Sequence, residues 1–373
     1  MGHYNMKVLQ VCKFFPPVFG GIEQVAYDIS DGFYSLHSRS IDVLCVDNKS
    51  NDSEEKHNYK IFRCGILGVV FSTPISFSFI KKWREIRNNY DVIHLHLPNP
   101  LAVIALFLFP TKNRIVIHWH SDIVKQKKLL FLFKPFQTWI LKQAARVIVT
   151  SPVYGIKSSA LQPYQQKLTC IPIGIDENKM PNNVFYESEL HKKYAGKKIV
   201  FSLGRLVYYK GFEFLVKAAK QLPPDTVILI GGEGELYGKL TTLISELELT
   251  DKVILLGGIP YDQLSAYYKL CDVFCLPSIH ESEAFGVVQL EAMSFKKPVV
   301  STDIANSGVP WVNKNGYSGV VVEPGNSEAL AAGIITVLEK ANVLSENAYL
   351  RFHTNFTKNK MVESLNQLYS ELR

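Results

Sequence analysis

Short apolar runs alternate with longer amphipathic stretches along the whole chain. In the first half the apolar runs fall at 6–12, 41–47, 59–64, 91–95, 114–118, 146–150 and 167–171, lengths suited to strands. Helical periodicity fills the intervals at 22–36, 77–88, 99–109, 126–145 and 153–160. The second half repeats the rhythm, with strands expected at 198–203, 226–231, 252–256, 272–276, 298–301 and 319–322 and helices between them. This alternation predicts an α/β class with parallel sheets covered on both faces. Pro, Gly and Asn gather from Pro172 to Asn183, the strongest linker signal in the chain. With 373 residues, 47% of them hydrophobic, the chain exceeds one core and can fill two.

Charge sharpens the division. Residues 1–174 carry 21 Lys and Arg against 11 Asp and Glu, whereas the remainder carries 20 against 23. A basic first half fits an anionic surface or acceptor. Nucleic acid is disfavoured, because no recognition motif accompanies the charge. The apolar run Leu101–Phe109 is too short to span a bilayer, and the start of the chain reads as a strand and not as a secretory signal. Together these place the expected site of action in the cytoplasm, with peripheral contact on the inner face of the membrane. Six cysteines form no Cys-x-x-Cys pair and lie mostly in apolar segments, which favours buried thiols over disulfides or zinc.

Two segments carry candidate chemistry. Glu283 and Glu291, eight residues apart in Glu-Ala-Phe-Gly-Val-Val-Gln-Leu-Glu, follow the apolar run Val273–Pro277 and open a helical pattern. On one helix the two acids would stand about 12 Å apart along the axis. That is roughly the span between the sugar and the ribose of a nucleotide-sugar folded over its diphosphate. The amides of Phe285, Gly286 and Val287 between them would form a helix N-terminus, which favours an anion. Upstream, the strand 199–203 runs into Gly-Arg-Leu-Val-Tyr-Tyr-Lys-Gly, placing Arg205 at a strand end and Lys210 at the start of the next helix. Ligands of open α/β sheets bind at such ends, and a cation at a positive helix end needs an anion or solvent. Arg supplies a planar fork and Lys a point charge for a diphosphate.

These strings, with Pro298–Asp303, Gly308–Asn313, the Gly20-Gly21 turn and His120-Ser121-Asp122, resemble retaining glycosyltransferases of family 4 over nearly the whole chain. The resemblance implies the GT-B fold: two Rossmann-like domains facing across a cleft, with a C-terminal helix returning to the first. The expected partition is an acceptor-side domain at 1–175 plus a helix at about 356–373, and a nucleotide-sugar donor domain at 176–355.

In the first half, Gly20 and Gly21 close a strand-to-helix turn, where paired glycines permit positive φ and let amides approach a ligand; a plain turn explains them equally. The family likeness favours the donor diphosphate or the acceptor cleft. His120, at a strand end, takes the family position beside the reacting sugar, Asp122 orients the local backbone or the imidazole, and His118 is expected to cap a turn. The segment 126–145, preceded by Lys125, opens with Lys127 and Lys128 and continues with leucines and aromatics, so it reads equally as a core helix or as one resting on anionic lipid. Gly231-Gly232-Glu233-Gly234-Glu235 invites a dinucleotide reading, but Tyr237 replaces its third glycine and two acids would repel a pyrophosphate. A structural turn is the better account.

The expected reaction is transfer of a hexose, with configuration retained, from a nucleoside-diphosphate sugar to a glycan hydroxyl. Catalytic roles fall to His120, Arg205, Lys210 and Glu283, and donor binding to Gly20, Gly21, Arg205, Lys210, Glu283, Phe285, Gly286, Val287 and Glu291. No metal is expected, because an Asp-x-Asp clamp is lacking and cations and amides take its role. The strings resemble bacterial surface-polysaccharide (O-antigen) mannosyltransferases most, which points to GDP-mannose, with UDP-glucose or UDP-N-acetylglucosamine as the close alternative. The acceptor expected by this likeness is a glycan, typically polyprenyl-diphosphate-linked, and other polysaccharide-assembly enzymes are candidate partners. From other classes, a sugar-nucleotide epimerase would convert donor without an acceptor, and a non-catalytic binding protein would turn nothing over.

Overall fold

The computed structural model describes residues 6–372 except 19, 49–51, 57–58, 71–72 and 123–126. The chain forms two units: residues 1–174 with 358–373, and residues 175–357.

The first unit is built on strands β1 (Val8–Val11), β2 (Ile41–Asp47), β3 (Asp52–Lys56), β4 (Tyr59–Gly65), β5 (Gly68–Val70), β6 (Thr73–Ile75), β7 (Val92–Leu97), β8 (Arg114–Trp119), β9 (Arg146–Val149) and β10 (Leu168–Cys170). Eight of them pair in the order β10-β9-β8-β7-β1-β2-β4-β3, while β5 and β6 form a separate hairpin. All pairs in the large sheet are parallel except β3 with β4. The periodicity did not anticipate β3 because Asp-Ser-Glu-Glu-Lys has no apolar face. It can be a strand because it is the sheet edge, where charge also blocks further pairing. Helices α1 (Gly21–His37), α2 (Phe77–Ile86), α3 (Pro100–Leu108), α4 (Lys127–Gln143) and α5 (Pro152–Lys157) connect the strands. Leu95, Ile117, Trp83 and Trp119 are among the fully enclosed core residues.

Lys125 and the side chains of Lys127 and Lys128, on which the lipid-surface expectation rests, lie outside the described residues. Five cysteines are buried as expected; Cys170 is exposed, because β10 is the opposite edge of the sheet.

The second unit contains α6 (Val184–Lys193), β11 (Lys198–Leu203), α7 (Phe212–Ala218), β12 (Thr226–Gly231), α8 (Tyr237–Glu246), β13 (Val253–Gly257), α9 (Tyr261–Leu270), β14 (Val273–Leu276), α10 (Val287–Ser294), β15 (Val299–Thr302), α11 (Val309–Val312), β16 (Gly319–Val322), α12 (Ser327–Glu339) and α13 (Ala341–Asn355). Its sheet, ordered β13-β12-β11-β14-β15-β16, is parallel throughout.

The last helix, α14 (Lys358–Glu371), belongs to the first unit. It packs on α1 so closely that a Cβ on Gly32 would meet Val362 Cγ2 at 2.5 Å. Lys358 pairs with Asp31 at 3.2 Å and Arg39 donates to Asn366 at 2.8 Å. Apolar residues at the helical interval, Met361, Val362, Leu365, Leu368 and Tyr369, form its buried face.

Candidate active site

In the second unit the strand order reverses between β11 and β14, which are neighbours. The loops that leave their carboxyl ends therefore meet at the position where open α/β sheets bind ligands. One loop is Gly204–Gly211 and the other is 277–286, so the two sequence segments carrying the candidate charges come together.

Their join is a backbone contact. Ile279 N–H donates to Tyr209 O at 2.8 Å, and Gly211 has φ +67, where a Cβ would stand 2.2 Å from Pro277 O. Only glycine fits there. Lys210, in a short 3-10 turn and not in α7 itself, is buried and reaches Glu283, with Nζ to Oε2 at 2.5 Å. Ser278 Oγ donates to the same carboxylate oxygen at 3.1 Å. The backbone carbonyl of Glu283 accepts from Ser307 Oγ, and Gly308 N–H donates to Ala284 O at 2.8 Å. Glu283 is thus fixed at both ends. Arg205 is exposed at the strand end, its Nη2 3.4 Å from Tyr209 Oη.

Glu283 does not lie on the helix that carries Glu291. Helix α10 begins at Val287, because Gly286 takes φ +73 and breaks the preceding turn. A single-helix spacing of about 12 Å therefore does not describe the two acids. Lys210 connects them: it pairs with Glu283, and its charge favours the ionised form of Glu291. Glu291 accepts from Tyr268 Oη at 2.5 Å. Burial raises its pKa above the usual glutamate value, against the lowering effects of Tyr268 and Lys210. No side chain caps α10; the Gln289 backbone N–H donates to Gly286 O at 2.9 Å, which leaves the first two helical amides, Val287 and Val288, as the ones that can meet an anion.

The declined glycine segment proves to be a support for this loop. A Cβ on Gly232 would sit 1.9 Å from Gly204 O, and one on Gly234 would meet Leu206 backbone atoms from 2.5 Å. Leu206 N–H donates to Glu233 O at 2.8 Å, so the glycines allow two loops to touch backbone to backbone.

In the first unit the order reverses between β7 and β1. The turn after β1 carries Gly20 and Gly21, but positive φ is not what selects them. Gly20 is extended at φ −173, which any residue adopts, and Gly21 starts α1. The space around them differs: a Cβ on Gly20 would collide with Glu23 Oε2 at 2.3 Å, whereas one on Gly21 meets nothing within 4 Å. Glu23 lies in the first turn, where a carboxylate complements the dipole.

His120 follows β8 and is buried. With period two, His94 and His96 on β7 and His118 and His120 at β8 share one sheet face with Gln10 on β1, which is in register with His94. His118 caps no turn: it lies inside β8, stacked 4.2 Å from His120 and hydrogen-bonded to His94 at 3.3 Å. His94 Nδ1 also bonds Tyr369 Oη of α14. His96 bonds Gln10 Oε1 at 2.7 Å and His120 Nε2 at 2.9 Å. Burial drives all four imidazoles toward the neutral form, His120 down to about 3. Ring nitrogens of His94, His96 and His118 lie within 4.8 Å of one another. Both nitrogens of His94 and of His96 are engaged in these hydrogen bonds, so the cluster reads as a ladder and not as a free metal donor set. The Asp122 carboxylate accepts from two side chains, Trp119 Nε1 and Ser158 Oγ, each at 2.9 Å, and neither is an imidazole.

Comparison with known proteins gives this geometry its family. Residues 19–179 match the family described as Glycosyltransferase Family 4, and residues 187–355 match Glycosyl transferases group 1. The O-antigen chain mannosyltransferase C of Escherichia coli is 30% identical, over 98% of this chain and 99% of the relative. The chain belongs to glycosyltransferase family 4. This family 4 enzyme is of the retaining hexosyltransferase class. The D-rhamnosyltransferase WbpZ of Pseudomonas aeruginosa is 28% identical over 94% of the chain and 92% of that protein. Among solved structures, sucrose-phosphate synthase of Thermosynechococcus elongatus matches with TM-score 0.80 at 21% identity, over 98% of this chain and 99% of that one. HepE of Anabaena in complex with UDP and glucose matches with TM-score 0.76 at 20% identity, over 98% and 100%. At such identity these two establish the GT-B fold alone.

In this family 4 enzyme, sequence reasoning missed Gln10, His94, His96, Tyr268, Ser278 and Ser307. Only the repeated His-x-His, at 94–96 and 118–120, was a visible signal. The rest are ordinary residue types until the strands are ordered.

Proposed function

We propose that this glycosyltransferase moves mannose from GDP-mannose onto a glycan or lipid-linked glycan during synthesis of a bacterial surface polysaccharide of the O-antigen type. The observation that carries the reading is the end-to-end likeness to an O-antigen mannosyltransferase, 30% over 98% of the chain. A second relative, from Mycolicibacterium smegmatis, bears GDP-mannose dependence in its name, though it aligns over 44% of this chain.

On this reading Arg205 and Lys210 stabilise charge on the leaving diphosphate, a contribution of roughly 3–4 kcal/mol per well-placed donor. An ammonium has three donors, so Lys210 can hold Glu283 and still bond phosphate oxygens. Glu283 accepts from sugar hydroxyls, Glu291 from the ribose, and the amides at Phe285, Gly286 and Val287 receive phosphate oxygens. Gly20 and Gly21 leave room for the diphosphate or the acceptor, and His120 bonds the reacting sugar. The first unit serves the acceptor and the second the donor. Cations and amides carry the charge that a metal carries elsewhere.

The acceptor we favour is a polyprenyl-diphosphate-linked glycan met at the inner face of the membrane, consistent with 21 basic against 11 acidic residues in positions 1–174. No helix among the described residues is long and apolar enough to cross a membrane. A donor screen tests the proposal: the purified protein, with GDP-mannose, a GDP-linked rhamnose, UDP-glucose and UDP-N-acetylglucosamine in turn, should release only GDP, and only from GDP-mannose. Turnover of another donor in its place refutes the mannosyl assignment. Conversion without acceptor into an isomeric donor identifies an epimerase, and binding without turnover a non-catalytic protein.

A further inference from the structure

Buried polar groups around Gln10 determine which nitrogen of His120 carries its proton. Gln10 Nε2 lies 3.0 Å from Ala26 O and 2.6 Å from Ser30 Oγ. A carbonyl can only accept, so the amide nitrogen must face it. The Ser30 hydroxyl hydrogen is directed to Ile41 O, at 3.4 Å, which leaves its oxygen to accept as well. Gln10 Oε1 is thereby aimed at His96 Nε2, 2.7 Å away.

An amide oxygen has only lone pairs, so His96 Nε2 must carry hydrogen. Burial opposes a second proton on that ring, so His96 Nδ1 is an acceptor. It faces His120 Nε2 at 2.9 Å, and the two rings are within 10° of parallel with centroids 5.2 Å apart, which suits an in-plane N–H···N bond. His120 Nε2 must then be the donor. His120 Nδ1 is left with a lone pair, and no described residue is hydrogen-bonded to it.

We infer that Gln10 and His96 are positioning residues that lock His120 in its Nε2–H tautomer, presenting Nδ1 as a hydrogen-bond acceptor toward a hydroxyl of bound sugar or acceptor. The inference rests on the reading that His120 lies beside the reacting sugar. It also explains why a polar glutamine stands in the middle of a buried strand: its oxygen points the ladder in one direction.

The test uses full-length protein labelled with 15N-histidine and long-range 1H–15N correlation, His120 being assigned by the signal lost in His120→Ala. The wild type should show His120 protonated at Nε2 and bare at Nδ1; a proton on Nδ1 overturns the proposal without need of any further variant. Gln10→Met removes the acceptor while keeping the volume. It should give mixed His120 tautomers and lower kcat about tenfold or more, with donor KM within about twofold. An unchanged tautomer, or a changed one with unchanged kcat, refutes the positioning role. Turnover that survives His120→Ala refutes the underlying site reading instead, a separate outcome from the tautomer result.

Discussion

Acidification should unfold the first unit well above the pH at which carboxylates titrate. His94, His96, His118 and His120 are all held neutral by burial, well below their ordinary value of 6.5. In the unfolded chain each takes a proton as pH falls through 6.5, whereas in the folded unit it does not. The unfolded state then binds more protons, so stability is full above about 6.5 and is lost progressively as pH falls toward the folded values, about 3 for His120. Between pH 7 and pH 5 each such imidazole costs about 2 kcal/mol, and the four together about 8 kcal/mol. That rivals the roughly 5–15 kcal/mol stability of a whole domain. Carboxylates with ordinary pKa values near 4 remain ionised at pH 5 and contribute little over this interval. Urea unfolding at pH 7, 6 and 5, followed by the fluorescence of buried Trp83 and Trp119, reads the loss directly. His118→Phe, which removes one titrating ring, should reduce the drop by about 2 kcal/mol. A wild-type loss under about 2 kcal/mol, or an identical drop in the variant, would show that the ladder accepts protons while folded and refute the argument.

Other outcomes follow from the second unit. Arg205→Ala, at an exposed position, should leave the thermal midpoint within a degree or two while turnover falls roughly a hundredfold, measured as released nucleoside diphosphate. Lys210→Ala should lose turnover and also about 3–5 kcal/mol of stability, because buried Glu283 is left without its cation; equal stability in a urea titration would contradict the pairing. Gly211→Ala places a Cβ 2.2 Å from Pro277 O at φ +67, so it should separate the two site loops and cost about 1–3 kcal/mol. If Glu291 holds the ribose as proposed, donor KM should rise on acidification at a pH above the usual glutamate range, because burial raises its pKa and only the ionised carboxylate accepts at both oxygens; Glu291→Gln should remove that dependence.

Periodicity made the strands legible because parallel sheets buried on both faces write long apolar runs, as in Ile199–Leu203 and Val273–Leu276. It failed where packing overrides pattern: charged β3 survives because only one of its edges is paired, and the β5–β6 hairpin is too short to show a period. Charged site residues were visible as types at strand ends. Their pairing was not, because nothing in the chain from Lys210 to Glu283 reveals that β11 and β14 are neighbours. The same limit hid Gln10 and His96, whose partners sit on other strands. The spacing between Glu283 and Glu291 misled for a local reason: Gly286 allowed a left-handed break that a continuous helical pattern concealed.

Charge arithmetic explains why the open end of α10 matters to the proposed chemistry. Arg205 and Lys210 bring two positive charges, and Glu283 and Glu291 bring two negative ones, so the side chains alone offer a donor diphosphate no net attraction. Lys210 is already committed in part, at 2.5 Å from Glu283. What remains is placement: Glu283 is held by Ser278 and Glu291 by Tyr268, while the helix supplies about half a positive charge where, on the proposed reading, the phosphates would lie. Binding on this account depends on α10 keeping its mouth uncapped. Gly286→Asp would put a carboxylate into that space as well as strain the φ +73 position. It should weaken donor binding far more than Gly286→Ala, which meets the same Leu276 contact at 2.6 Å without adding charge. Equal weakening by the two variants, measured by calorimetric titration with the donor nucleotide, would mean that the helix end takes no part in holding phosphate.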